Sequence, residues 1–257
     1  MNTPRFFCDL PLVSGMELDL PEAVARHAAQ VLRLPSGAAV TLFDGRGGEY
    51  PARLEIIGKT KARARLGAWQ DIERESPLRV TLAQAAQAAD KMDFSVQKAV
   101  ELGARVFQPL ASRRSVTRLS GERQQKRESH WRTVALAACE QCGRNRPMEI
   151  RPIKPLGNWL TQEARTLPGL KLVFTPEAET GLSALAKTEN AAREVTALIG
   201  AEGGLDATEI AAAREAGFIP LRLGSRILRT ETAGVAILAA LQNLWGDLGE
   251  DITPDSA

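Results

Sequence analysis

Two stretches decide how this chain is read. One is Leu198-Ile199-Gly200-Ala201-Glu202-Gly203-Gly204-Leu205. The other is Leu221-Arg222-Leu223-Gly224-Ser225-Arg226-Ile227-Leu228-Arg229-Thr230-Glu231-Thr232-Ala233. In each, a short apolar run ends in a glycine-containing loop, and the loop feeds a helix. Gly200 lets the backbone turn, and Gly203-Gly204 leaves no side chain between backbone and a ligand. Asp206 stands at an N-cap position with Glu209 three residues on, a variant of the capping box. Spacing alone equally allows a plain strand-to-helix turn. No Lys-Ser or Lys-Thr follows the glycines, so this is not a P-loop. The glycines do not form G-x-G-x-x-G and come late in the domain, so it is not a dinucleotide fingerprint either.

The second loop leads into Ala233-Gly234-Val235-Ala236-Ile237-Leu238-Ala239-Ala240-Leu241, apolar nearly all round and rich in small residues. Such a helix must be buried on several sides, and small residues let another backbone or a second copy come close. Two glycine loops near each other in sequence point to a cradle for a small ligand.

Outward from these loops, residues 73–249 alternate strand and helix. Strands are expected over 79–83, 105–110, 149–153, 170–175, 195–200 and 218–223. Helices are expected over 91–102, 122–141, 157–165, 207–216 and 231–245. The pattern predicts an α/β domain with a parallel sheet covered on both faces. Residues 1–72 read as a small β module with strands at 16–20, 40–43, 49–57 and 60–69. One helix over 21–34 interrupts them, with Val24, Ala28, Val31 and Leu32 on one face. The charged segment 71–77, ending at Pro77, is the linker candidate, and 250–257 is expected to be a flexible tail.

Composition narrows the class. The 257 residues carry 33 Lys and Arg against 31 Asp and Glu, a net charge of +2, so a nucleic-acid footprint must come from local clusters. The apolar runs are too short to span a membrane, and the N-terminus lacks the pattern of a signal peptide. Three cysteines, Cys8, Cys139 and Cys142, suggest a reducing compartment, expected to be the cytoplasm. Cys139-x-x-Cys142 has no second ligand pair at zinc spacing, so no metal is expected. Basic clusters occur at Arg113, Arg114 and Arg118, along the helix at Arg123, Lys126, Arg127 and Arg132, and in the N-terminal module at Arg5, Arg26, Arg33 and Arg46. They are candidate phosphate contacts, with His27 beside them.

Together, I-G-A-E-G-G-L and L-G-S-R-I-L-R-T-E-T-A resemble the signature of the RsmE family, the 16S rRNA uridine-N3 methyltransferases of the SPOUT superfamily. Further segments agree: Lys91-Met92-Asp93-Phe94 with Gln97-Lys98 and Glu101-Leu102-Gly103, Ala138 to Arg144, Pro4-Arg5-Phe6-Phe7, and His27 with Val31-Leu32-Arg33. The likeness runs from Pro4 to about Gly249. One departure is Ala201, where the family usually has proline; it removes proline's fixed φ but no functional group.

The resemblance implies a PUA-like RNA-binding β-barrel, then a SPOUT-type parallel sheet tied in a C-terminal trefoil knot. Pattern alone gives a doubly wound sheet, since true knots are very rare. It further implies S-adenosylmethionine as cofactor and a homodimer. The substrate would be a uridine in the decoding region of 16S rRNA, on the assembled small ribosomal subunit. The expected cofactor contacts are Leu172, Thr175, Ile199, Gly200, Ala201, Gly203, Leu223, Gly224, Ile227, Leu228, Thr230 and Ala233. Glu231 or Glu202 is expected to take the N3 proton and Arg229 to stabilise charge on a carbonyl oxygen. Arg5, Arg26, His27, Arg33, Arg113 and Arg114 are expected to meet RNA. Two other classes stay open on the residues alone, a non-catalytic RNA-binding protein with a vestigial nucleoside pocket and a nucleotide-dependent oxidoreductase.

Overall fold

A computed structural model describes residues 3–115, 121–188 and 192–249. The expectations for Arg118 and for the tail 250–257 lie outside these residues. The chain divides into two compact units, Met1–Glu75 with Leu136–Pro147, and Ser76–Ala135 with Met148–Ala257. A contiguous boundary near residue 72 therefore misassigns 136–147, which belong with the first unit although they follow 60 residues of the second in sequence.

The first unit is built on β1 (Arg5–Phe7), β2 (Glu17–Asp19), β3 (Ala39–Phe43), β4 (Tyr50–Ile56) and β5 (Ala62–Leu66), in the order β1-β3-β4-β5-β2. Only β1 and β3 are parallel. Period-two patterning drives the sheet: Ala62, Ala64 and Leu66 point into the core while Arg63 and Arg65 face water. Phe6, Leu18, Val40, Leu42 and Leu54 complete that core. The interrupting helix α1 (Glu22–Arg26) differs from expectation, because its second half, His27–Val31, is a π-helical turn. The wider turn breaks the 3.6-residue phase on which one apolar face depends. Ala28 stays buried, but Val31 is 67% exposed and Leu32 42%.

The second unit follows the expected alternation. Its elements are β6 (Arg79–Ala85), α2 (Ala89–Glu101), β7 (Val106–Ala111), α3 (Gly121–Cys142, whose residues from Leu136 on belong to the first unit), β8 (Glu149–Ile150), β9 (Lys154–Pro155) and α4 (Leu156–Gln162). Then come β10 (Leu170–Phe174), α5 (Leu182–Leu185), β11 (Glu194–Ile199), α6 (Ala207–Glu215), β12 (Ile219–Leu221) and α7 (Thr230–Trp245). The strand expected over 149–153 is two short strands, because Pro152 has no N–H for the ladder. Gln108 fills part of the gap by donating Nε2–H to the Pro152 carbonyl at 3.0 Å.

All pairings in this sheet are parallel, in the order β12-β10-β11-β6-β7-β8 with β9 on β7. β11 is flanked by β10 and β6, so Ala197 and Leu198 are wholly buried. α7 packs on α2, β6 and β11. Gln242 fastens it, donating to the Leu102 carbonyl at 3.1 Å and accepting from the Ser76 hydroxyl at 2.6 Å. The last residues of β10, β11 and β12 lie side by side, with Phe174 in register with both Ile199 and Leu221. Ligands in parallel sheets bind beyond such carboxyl ends.

Candidate functional site

A cleft of about 420 Å³ opens there, bounded by Phe174–Glu177, Ile199–Leu205 and Arg222–Leu228, with Thr230, Ala233 and Ile237 of α7. The loop after β11 owes its shape to glycine. Gly204 N–H bonds the Ala201 carbonyl at 2.8 Å, closing a tight turn, and Gly204 has φ of 70°. This turn packs back onto Gly200, where a Cβ would stand 2.8 Å from the Gly204 carbonyl carbon and the Leu205 nitrogen. Asp206 then caps α6 reciprocally with Glu209. Hydrogen bonds from Thr208 and the Glu209 amide hold the Asp206 carboxyl down to about 2.

Of the twelve residues expected to hold the ligand, eleven line this cleft. Leu172 does not. It lies two residues short of the strand end and is fully buried in the sheet, while Phe174, on the same face, reaches the cleft. Residues that sequence reasoning missed are Phe174, Pro176, Glu177, Gly204, Leu205, Arg222, Ser225, Arg226 and Ile237. Gly204 and Leu205 stood in the quoted motif, and Ile237 was one helical turn from Ala233, so the signal for these three was present. Thr175 donates its hydroxyl to Glu177, and that bond is the chief cause holding the Glu177 carboxyl below its ordinary value.

The three expected catalytic residues stand differently. Glu202 lines the cleft and pairs with Lys91 at 3.4 Å. Glu231 lies in the first turn of α7, with Oε2 buried and without a hydrogen-bond partner. Arg229 is the N-cap residue; its carbonyl accepts the Ala233 N–H at 2.8 Å, while its side chain is exposed.

Beneath the cleft, Gln84 at the end of β6 is fully buried and donates Nε2–H to the Gly200 carbonyl at 3.4 Å. Its Oε1 has no partner and would sit 3.3 Å from a Cβ on Gly234. Two arginines expected at RNA hydrogen-bond to the glycine loop and the start of α6. Arg114 donates to the Gly203 carbonyl at 2.6 Å. Arg113 bonds Glu209 through its backbone N–H at 2.8 Å, and Asp206 and Thr208 through its guanidinium.

In the first unit, Arg5 is a structural cation rather than a surface one. It bonds Glu49 at 2.5 Å, Asn145 and the Arg144 carbonyl, and stacks 5.2 Å from the Phe43 ring centre. Burial acts to raise the Glu49 carboxyl, but Arg5 and Arg74 hold it below the ordinary value. Arg26 and Arg33 are exposed, and His27 is half-buried, edge-on to Phe6. Burial pushes the Cys8 and Cys139 thiols up to about 12, so neither is a ready thiolate. Among the described residues no group of three or more His, Cys, Asp or Glu is placed to hold a metal ion, and no helix is long and apolar enough to cross a membrane.

This geometry suits a nucleoside-sized ligand gripped through backbone groups. The RNA methyltransferase domain family matches residues 74–242, and the RNA methyltransferase PUA domain family matches 20–67. A ribosomal RNA small subunit methyltransferase E from Buchnera aphidicola is 33% identical, covering 95% of this chain and 98% of that one. A ribosomal RNA small subunit methyltransferase E from Neisseria gonorrhoeae, solved bound to S-adenosyl methionine, is 37% identical with a TM-score of 0.87, over 96% of this chain and 100% of that one. A Legionella pneumophila protein solved with the bound cofactor SAM is 33% identical with a TM-score of 0.90, over the same 96% and 100%. On these matches the chain belongs to the ribosomal RNA small subunit methyltransferase E family.

Proposed function

We propose that this protein transfers the methyl group of S-adenosylmethionine to N3 of a uridine in the decoding region of 16S rRNA, on the assembled small ribosomal subunit. The observation that carries the reading is the backbone-walled cleft at the carboxyl ends of β10, β11 and β12 in a chain of this family. Its volume lies in the range of small-molecule sites. Gly224 leaves open space where a side chain would stand, Gly200 and Gly203 let the loop fold tightly at the cleft wall, and Ile199, Leu223, Leu228 and Ile237 give a ligand's ring an apolar wall. These residues, with Thr175, Ala201, Ile227, Thr230 and Ala233, would hold the cofactor. When bound, it supplies a sulfonium methyl that is already electrophilic.

The residues of this chain then align the uracil ring and manage its proton, and positioning supplies most of the acceleration. N3 carries a proton at neutral pH, which must leave as the N–C bond forms. Glu231 is the acceptor we assign, because its buried Oε2 lacks a partner. Glu202 is less suited, since Lys91 already stabilises its carboxylate. Arg229 stabilises negative charge on a uracil carbonyl oxygen. Arg26, His27 and Arg33 contact the RNA.

The same reading carries three further expectations. The segment from β12 into α7 forms a trefoil knot. Support comes from β12 lying outside β10 while α7 packs back on β6 and β11. The protein is a homodimer, in which Ala236, Ala240 and the exposed Leu244 meet a second copy. It works in the cytoplasm, where ribosomal subunits are. Labelled-methyl transfer to small subunits and to naked transcript, followed by nucleoside analysis, tests the activity. N3-methyluridine is expected. RNA binding without incorporation favours the binding-only protein.

A further inference from the structure

The first unit holds a second cavity, of about 660 Å³, which the donor cleft does not use. It lies between β1, the π turn and the last turn of α3, with Arg5, His27, Leu32, Glu49, Arg74 and Glu140 on its walls. Three observations describe what it takes.

The first is its charge. Arg5 and Arg74 both pair with Glu49, at 2.5 and 3.2 Å, so the guanidiniums are already engaged. Glu49 and Glu140 add two carboxyls, which makes the cavity a poor phosphate site. The second is Glu140. It accepts the Phe7 N–H at 2.9 Å through Oε1, and among the described residues no cation is ion-paired with it. Burial pushes its carboxyl above the ordinary value, outweighing the Phe7 amide and the charge of Arg5. Such a carboxyl suits an uncharged partner with N–H groups on its edge.

The third is the rim. The helix widens into a π turn at His27–Val31, and Arg33 follows with φ of 51°, in the left-handed region that side chains rarely adopt. π turns gather at functional sites, and such backbone strain persists where the surroundings impose it. Here both keep Leu32 exposed at the mouth, with His27 beside it.

We propose that this cavity receives an unpaired nucleobase of the substrate RNA other than the methylated one, with Glu140 bonded to its N–H edge and Leu32 and His27 against its face. The inference rests on the RNA-methylating function proposed above. Sequence-selective RNA recognition works in this way, by splaying single-stranded bases into pockets and reading their edges. The cavity would thus set which strand is presented and in which register.

The test is a binding measurement on the intact protein with a small-subunit rRNA transcript, scanned by single abasic substitutions at the unpaired positions. Leu32→Ser and Glu140→Gln are compared with wild type; the latter keeps an acceptor for Phe7 N–H. One abasic position away from the methylated base is expected to weaken wild-type binding about tenfold and to add nothing in either variant. In methyl transfer the variants should raise KM for RNA about as much, with KM for S-adenosylmethionine and kcat unchanged. Additive losses at every position overturn the base pocket while leaving the methyltransferase reading intact. Wild-type protein that binds neither transcript nor small subunits, and transfers methyl to neither, overturns both.

Discussion

Gln84, wholly buried at the end of β6, donates its side-chain N–H to the carbonyl of Gly200, 3.4 Å away, at the residue where the glycine loop begins. The bond ties the floor of the cleft to a central strand, and the space it needs is left by Gly234, where a Cβ would stand 3.3 Å from Gln84 Oε1. Gln84→Leu keeps the volume and removes the donor. Leaving a buried carbonyl unpaired costs about 1–3 kcal/mol. The stability loss should therefore come with a weaker grip on S-adenosylmethionine, about fivefold by calorimetry. A lower melting temperature with unchanged cofactor affinity would limit Gln84 to holding the fold.

Gly200→Ala isolates the loop itself. The added methyl meets the Gly204–Leu205 peptide group at 2.8 Å, so the turn through Ala201–Gly204 must open. Cofactor affinity should fall tenfold or more, about 1.4 kcal/mol. Circular dichroism should stay native, because the strain is confined to the loop between β11 and α6. Tight binding by this variant would show that the loop does not grip the ligand.

Such loops are legible in sequence because their requirement is local: a turn that closes on its own backbone selects glycine whatever lies around it. Leu172 was misplaced for the opposite reason. Whether residue 172 or 174 reaches the cleft depends on where β10 ends, which β11 and β12 decide. The Asp206 and Gly203 partners of Arg113 and Arg114 were not legible, because a charge run in sequence does not say which carboxyl or carbonyl folding will bring beside it. Residues 136–147 were assigned to the wrong unit on the same account. Arg144 pairs with Glu75 at 2.6 Å and Asn145 bonds the Ile72 carbonyl at 2.6 Å, partners some 70 residues away. Val31 and Leu32 fall on one helical face with Val24 and Ala28 in sequence because 3.6-residue periodicity cannot foresee a π turn.

Asp206→Ala removes the cap of α6 and the anchor of Arg113. The melting temperature should drop by on the order of 2 °C at pH 7. The pH dependence has a definite sign. The folded pKa of Asp206, about 2, is below the ordinary 3.8. Its contribution is therefore full above about pH 4 and is lost as the pH falls toward 2. The gap between wild type and variant should narrow over that window; a gap constant down to pH 2 would count against the cap's charge.

Arg229→Ala separates chemistry from structure. The backbone of Arg229 starts α7, but its side chain is exposed and has no partner among the described residues, so the fold should survive. Activity should fall about a hundredfold, the scale for losing one preorganised charge stabiliser. The loss should appear in kcat with little change in KM for S-adenosylmethionine. Turnover near wild type would remove Arg229 from the site.

The two carboxylates can be told apart by the same logic. Glu202 lines the cleft, but its carboxylate is already engaged by Lys91 at 3.4 Å. Glu231 has a buried oxygen without a partner, at the positive end of α7, in the turn that also supplies Thr230 and Ala233 to the cleft. The missing partner leaves that oxygen with its acceptor capacity unused. Glu231→Gln should lower kcat by about 10²–10⁴, the span of general-base contributions, with S-adenosylmethionine binding kept. Glu202→Gln should stay within about threefold of wild type, since it removes one exposed ion pair and no proton acceptor. Raising the pH distinguishes the roles further. If Glu231 takes the N3 proton, the variant should recover part of its rate as the uracil begins to ionise without help, whereas the Glu202 variant should follow the wild-type profile. Equal losses in both variants would mean that neither carboxylate is the base and that both serve to position the ring.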